Sequence, residues 1–288
     1  MKLVKKSLFF FMLFSVHIWA ECSVPQGVDA FIVNRGLKNL KKSDKDVRRN
    51  MKALKGLCLY EVAIKDKNLN WKMTLVFNQK HKNAPFWFLP HDNEDTAFNT
   101  AVYAVQKYGG GFLAVEANEK RYFKGQDPNR NFSDTLKSSK SCVQQKYFSP
   151  RYTQGVLTII QAFKPQGYPY LTLHNNSDGG GVSMLHKSKR VMDYPAYKGI
   201  SKKSRGLKDE DSLVYMAGNS KHPSTSRLKP FLKNGLNVKY EMVSAKHNDC
   251  SFSNYIVLSS EGDYYNIESE HGDDKVQRAM VDRILRFF

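Results

Sequence analysis

After its first twenty residues the chain has no long apolar run, no cysteine pair at metal-finger spacing, no low-complexity tract and no internal repeat. Each absence removes a class. A membrane helix needs about 18 or more consecutive apolar residues, so none is expected beyond the N-terminus. Widely spaced cysteines exclude a zinc knuckle, and the missing repeat excludes a solenoid or propeller. No helix-turn-helix, zinc-finger or RNA-binding signature is present, so specific nucleic-acid recognition is not expected. Acidic residues are in deficit: 27 Asp and Glu face 45 Lys and Arg, giving a net charge of +18. The basic residues are scattered, as in "KKSDKDVRR" and "SKKSRGLK". Such a surplus favours solubility and attraction to polyanions, an anionic cell envelope or an acidic substrate among them. Otherwise the composition is that of an ordinary globular chain, and 288 residues can bury a sizeable core.

Lys2, Lys5 and Lys6 precede an apolar stretch from Leu8 to Trp19, with the small Ala20 at a cleavage position. This pattern predicts a secretory signal peptide over residues 1–20, followed by a single domain over 21–288, exported to the periplasm or beyond. Cys22 is not read as lipidated, because Glu21 stands where a small residue should precede it. Cys22, Cys58, Cys142 and Cys250 remain in the mature chain. An even count in an exported protein predicts two disulfides, with three pairings open.

Residues 28–56 are charged with spaced apolar positions and predict one or two helices. "LCLYEVAI" and "WKMTLVF" predict strands joined by a turn at 66–70, and "PFWFLP" a short buried strand. "TAFNTAVYAVQKY" has helical spacing and ends at Gly109–Gly111; "FLAVEA" follows as a strand. "YTQGVLTIIQAF" predicts a helix, "YPYLTLH" a strand, and residues 175–226 a long irregular region of the kind that covers sites. "NVKYEMV", "NYIVLS" and "YYNIES" predict late strands, and "DKVQRAMVDRILRFF" a closing amphipathic helix. Alternating strands and helices predict an α/β fold with a mixed, largely parallel central sheet flanked by helices.

His91 and Glu94 follow the strand at 85–90, and His174 ends the strand at 168–174. Ligands of open α/β sheets bind beyond the carboxyl ends of strands, and two strand ends can be neighbours in a parallel sheet. Two histidines and a glutamate are a donor set for one zinc ion with an open fourth position. Taken alone, His-x-x-Glu is equally the polar start of a helix, with acidic residues favouring its dipole.

Between these groups lies "KRYFKGQDPNRNF". The order His-x-x-Glu, Arg, Asp-x-Asn-Arg-Asn-Phe and then His at a strand end resembles the zinc carboxypeptidase superfamily. "KRYFKGQDPNR" together with "LHNN" is also similar to its succinylglutamate desuccinylase and aspartoacylase branch. The resemblance spans about residues 85–180 and, loosely, 237–272. It implies that His91, Glu94 and His174 bind one Zn2+ and that Asp127 orients the His91 ring. It implies that Arg121 stabilises the oxyanion, and that Asn129 and Arg130 hold a substrate carboxylate. A guanidinium grips a carboxylate through two parallel hydrogen bonds, which suits arginine to that role.

The resemblance also implies a glutamate base on a late strand. "DYYNIESEHG" offers Glu268 and Glu270, which share a face of a strand; Glu268 is preferred, because "NIES" is the closer match to the desuccinylase branch. Carboxypeptidases add a mobile tyrosine, for which Tyr240, Tyr255, Tyr264 and Tyr265 all compete. The expectation is an exported zinc hydrolase of peptide or amide bonds whose substrate bears a free carboxylate, cell-wall peptides included. The alternatives are an N-acyl amino acid deacylase, a catalytically silent relative that binds the envelope, and a charge-driven binder of nucleic acid or membrane surfaces.

Overall fold

The structure is a computed structural model that describes residues 22–288, apart from 68, 82, 143 and 144. The leader expected at 1–20 lies outside the described residues.

Ten strands form one mixed sheet: β1 (Ile32–Arg35), β2 (Cys58–Lys65), β3 (Asn70–Phe77), β4 (Phe86–Leu89), β5 (Gly111–Glu116), β6 (Tyr170–Asn176), β7 (Val191–Tyr194), β8 (Leu213–Gly218), β9 (Asn237–Met242) and β10 (Tyr264–Glu270). Their spatial order is β1-β2-β3-β5-β4-β6-β10-β8-β9-β7. The run β5-β4-β6-β10 is parallel throughout, as is β8-β9, and the remaining neighbours are antiparallel. The mixed α/β fold anticipated from the strand–helix alternation is therefore present, with parallel pairing at its centre. Parallel strands need helical crossovers, and these cover both faces.

The helices are α1 (Leu37–Ser43), α2 (Lys45–Arg49), α3 (Met51–Leu54), α4 (Asp95–Tyr108), α5 (Leu136–Ser141), α6 (Pro150–Phe163), α7 (Thr225–Lys233), α8 (Phe252–Leu258) and α9 (Asp274–Ile284). Strand residues alternate between two cores. Leu171, Leu173, Tyr265 and Ile267 join the core of α4 and α9, whereas Tyr170 and Tyr264 join that of α6 and α8. Thr172, His174, Asn266 and Glu268 share the phase of Tyr170 and Tyr264. The polar ends of these two strands consequently emerge on the α6/α8 face.

Three expectations need correction. "NYIVLS" is part of α8, not a strand; Ser251 accepts the Asn254 N–H and caps the helix. A short apolar run fits either state until its cap is recognised. The region 175–226 contains β7 and the central strand β8, whose "LVYMAG" is short and buried between neighbours. Residues 28–56 hold three short helices and also β1, paired antiparallel to β2. The cysteines pair as Cys22–Cys58 and Cys142–Cys250, which gives the two expected disulfides their connectivity. No helix among the described residues is long and apolar enough to cross a membrane.

Candidate metal centre

β4 and β6 are parallel neighbours, with Phe88 opposite Thr172. The chain leaves β4 through Pro90, so His91 arrives at the carboxyl edge beside His174 of β6. Glu94 is the N-cap residue of α4, and its backbone carbonyl accepts the N–H groups of Ala97 and Phe98. His91, Glu94 and His174 are 4, 5 and 4 % exposed, so desolvation holds all three in a low-dielectric corner.

Their donor atoms converge. His91 Nδ1 lies 2.7 Å from Glu94 Oε1 and 3.1 Å from His174 Nδ1, which is itself 3.0 Å from Glu94 Oε2. On the far side of the ring, His91 Nε2 meets Asp127 Oδ1 at 2.9 Å. A proton on Nε2 shared with Asp127 leaves the Nδ1 lone pair facing Glu94 and His174. Two imidazole nitrogens and a carboxylate that converge in this way form a group that could hold a divalent metal. The electrostatics agree. Burial works against the Glu94 charge, but His91 and His174 outweigh it and hold the carboxyl well below the ordinary range. Burial also opposes the charge on His91, yet Glu94 and Asp127 raise its pKa; His174 is lowered, chiefly by burial.

The loop that supplies Asp127 folds by local rules. Asp127 caps the 3-10 turn Pro128–Arg130 by accepting the Asn129 N–H at 2.8 Å, with proline at the first position. Gln126 Nε2 donates to the carbonyls of Asp127 and Arg130, and Tyr152 Oη donates to that of Pro128. Phe132 then anchors the loop against Phe88, Tyr152 and Phe252. The loop that carries Arg121 is held from below, where Asp92 Oδ2 accepts the N–H groups of Ala117 and Glu119. Arg121 Nη1 stands 3.2 Å from Glu94 Oε1, and its Nε 3.4 Å from Asp127 Oδ2.

These groups open into a cavity of about 320 Å3 that Asn129, Arg130 and Glu268 also line. Arg130 Nε donates to Asp249 Oδ2 at 3.1 Å, while Asn129 Oδ1 accepts the Phe252 N–H. Glu268 lies opposite His174 in the β10–β6 register and accepts a hydrogen bond from Asn266 Nδ2 at 2.8 Å. Burial, reinforced by the charge of Glu94, pushes its carboxyl up to about 8. Glu270, two residues on, does not line the cavity. Of the four tyrosines weighed from sequence, Tyr264 lines it, hydrogen-bonded to Thr172. Tyr240 is buried against the Ser220 carbonyl, Tyr265 bonds Arg227 and Asp263, and Tyr255 lines a different pocket.

Sequence reasoning missed Tyr215, Glu241, Asp249, Ser251 and Asn266, which are among the other residues that line the cavity. Tyr215 sits on β8, which pairs with β10, and Glu241 on β9, which pairs with β8, and no local pattern reveals either pairing. Asn266 was accessible in principle, because residues two apart on a strand share a face.

No protein-family model matches the chain, and no curated protein matches it. Solved structures do. A proposed metallopeptidase from Shewanella amazonensis SB2B is 14 % identical, covering 87 % of this chain and 92 % of its own, with a TM-score of 0.47. A proposed carboxypeptidase A from Shewanella denitrificans OS-217 is 8 % identical, over 83 % of this chain and 66 % of its own, with a TM-score of 0.40. An aspartoacylase family protein from Mesorhizobium loti is 13 % identical, over 80 % of this chain and 66 % of its own, at a TM-score of 0.39. At these identities and TM-scores the likeness concerns the fold alone.

Proposed function

We propose that the protein is an exported zinc-dependent hydrolase of amide bonds, organised as one catalytic domain, whose substrate presents a free carboxylate. The supporting observation is the convergence of His91 Nδ1, His174 Nδ1 and the Glu94 carboxylate beside a buried glutamate in a polar cavity. The two disulfides fit an oxidising compartment.

His91, Glu94 and His174 would hold the ion, which would polarise an amide carbonyl and acidify a water. Asp127 fixes the tautomer and orientation of His91. Glu268 accepts the water proton and passes it to the leaving nitrogen; a cation held beside it would favour the ionised carboxylate that this needs, against the upward push of burial. Arg121, 40 % exposed at its side chain and aimed at the centre, donates to the oxygen on which negative charge develops. Asn129 and Arg130 dock the substrate carboxylate; Asp249 braces the guanidinium through Nε. A cavity of about 320 Å3 is large enough for a terminal residue or a small acyl amino acid.

The test is hydrolysis by the zinc-loaded protein of C-terminally free peptides, cell-wall fragments and N-acyl amino acids, read by mass spectrometry. Cleavage that disappears on chelation and in His91→Ala supports the proposal. Cleavage that survives both refutes it, and the panel separates peptidase from deacylase.

A further inference from the structure

The cavity of the metal centre extends across four neighbouring strands, β6, β10, β8 and β9. Their register sets its rows. His174 lies beside Glu268 in the row nearest the metal ligands. Asn266 faces Tyr215 in the next row. Tyr264, Ala217 and Glu241 form the third, and the charge of Glu241 reaches Tyr264 and Tyr215. Two rows are about 13 Å of strand, a distance for a long substrate side chain and not for a short one, once the glutamates' own lengths are subtracted.

Glu241 has no counter-charge in the protein. Among the described residues it forms no ion pair, although the chain has 45 Lys and Arg for 27 acids. Its Oε2 accepts the neutral Asn254 Nδ2 at 3.2 Å. Lys239, two residues earlier on β9, is paired with Asp193, and Arg130 with Asp249. Burial, reinforced by the charge of Asp249, raises the Glu241 carboxyl above its usual range. A substrate carboxylate docked on Arg130 brings a third negative charge to this end of the cavity against one guanidinium. A carboxylate withdrawn from water needs a positive partner to stay ionised.

Asn266 points to a ligand independently. It is 5 % exposed and lines the cavity, and its Oδ1 has no hydrogen-bond partner. Strand alternation turns it to the cavity with Tyr264 and Glu268, while Tyr265 and Ile267 enter the opposite core. Its Nδ2 is committed to Glu268 Oε1 at 2.8 Å, so the free end of the side chain is an acceptor. A buried acceptor without a donor is costly, so a ligand that brings N–H groups is favoured.

We propose that the C-terminal residue released from the substrate carries an ammonium on its side chain, as lysine and other diamino acids do, and that Glu241 and Asn266 Oδ1 accept the N–H groups of that residue while Asn129 and Arg130 hold its carboxylate. This specificity rests on the hydrolase reading above. An alkylammonium has three N–H donors and stays charged at neutral pH. Tyr215, on the strand between Asn266 and Glu241, flanks the methylenes that carry it.

Calorimetric titration of the zinc-loaded full chain with free lysine, Nε-acetyllysine and norleucine, each in both enantiomers, tests this without turnover. Lysine should bind at least about tenfold more tightly than the other two in one enantiomer, because a site built for a charged donor rejects the analogue that lacks it. Glu241→Gln keeps the shape and an acceptor for Asn254, and should bring the three ligands within about twofold of one another. The comparison of ligands on the unaltered protein carries the test even if this variant does not fold. Equal binding of lysine and norleucine would overturn the inference. So would no binding of lysine up to about 10 mM, or a preference that Glu241→Gln leaves intact. Cleavage is a separate readout. A lysine preference without hydrolysis of any peptide counts against the hydrolase reading alone, and hydrolysis without that preference counts against the role of Glu241 alone.

Discussion

Replacing Asp127 by asparagine isolates the group behind the proposed zinc ligand. The carboxylate accepts His91 Nε2 at 2.9 Å and the Asn129 N–H at 2.8 Å through the same oxygen, Oδ1. Burial opposes its charge, yet His91, Arg121 and Arg130 hold the carboxyl down to about 2, so it is ionised at neutral pH. Asparagine keeps the shape and one acceptor oxygen, so the turn at Pro128–Arg130 survives. The negative charge that raises the basicity of His91 is lost. The new amide nitrogen would replace Oδ2, which lies 3.4 Å from Arg121 Nε, setting donor against donor. Loss of such an outer partner typically weakens metal binding about 10–100-fold. That is about 1.4–2.7 kcal/mol. Competition with a chromophoric chelator measures the zinc Kd, and circular dichroism checks the fold. A folded variant that binds zinc within about threefold of the parent would refute the assigned role of Asp127. Asp127→Ala should do worse, because the buried Asn129 N–H then lacks an acceptor, at about 1–3 kcal/mol of stability.

Glu268→Gln should retain zinc and lose hydrolysis by about 100-fold or more, as measured by metal content and turnover. The same residue shapes the pH dependence of the metal-stripped protein. Its folded pKa of about 8 lies above the ordinary 4.5, so the folded state holds a proton that the unfolded state releases between those values. Stability should therefore fall as pH rises across this window in urea titrations, and Glu268→Gln should flatten the fall. Arg130→Lys should raise KM by about tenfold with little change in kcat, because an ammonium cannot grip a carboxylate and Asp249 in one plane. Ile267→Ala removes a fully buried side chain between the site residues of β10 and should cost about 2–5 kcal/mol in denaturation.

Much of the chain was legible because its signals are local. The helix of α4 follows from spaced Ala97, Ala101, Val102 and Val105 and stops at glycine, since Gly109 takes a φ of 87°. The α9 helix follows in the same way from its amphipathic spacing, and the turn at Asp127 from an acid before proline. α8 was misread because six apolar-rich residues carry no period long enough to distinguish helix from strand. β8 was missed for a related reason. A strand buried on both sides needs no alternation, and its identity comes from its neighbours β10 and β9.

The sequence by itself determined which residue types could serve a metal and a carboxylate, because those depend on side-chain chemistry and short spacings. His91 and Glu94 fall within reach of such rules; the roles of Asp127, Asn129 and Arg130 are implied only by the resemblance of their motif to the zinc carboxypeptidase superfamily. Only the tertiary structure brought β4 beside β6, so that His174 closes the group with His91 and Glu94. It also turned Glu268 into the cavity and left Glu270, opposite Asn176 of β6, outside it. Period-two alternation makes two glutamates on one strand equivalent. Which of them faces a cavity depends on what the adjacent strands and loops leave uncovered, and those segments lie tens of residues away in the chain.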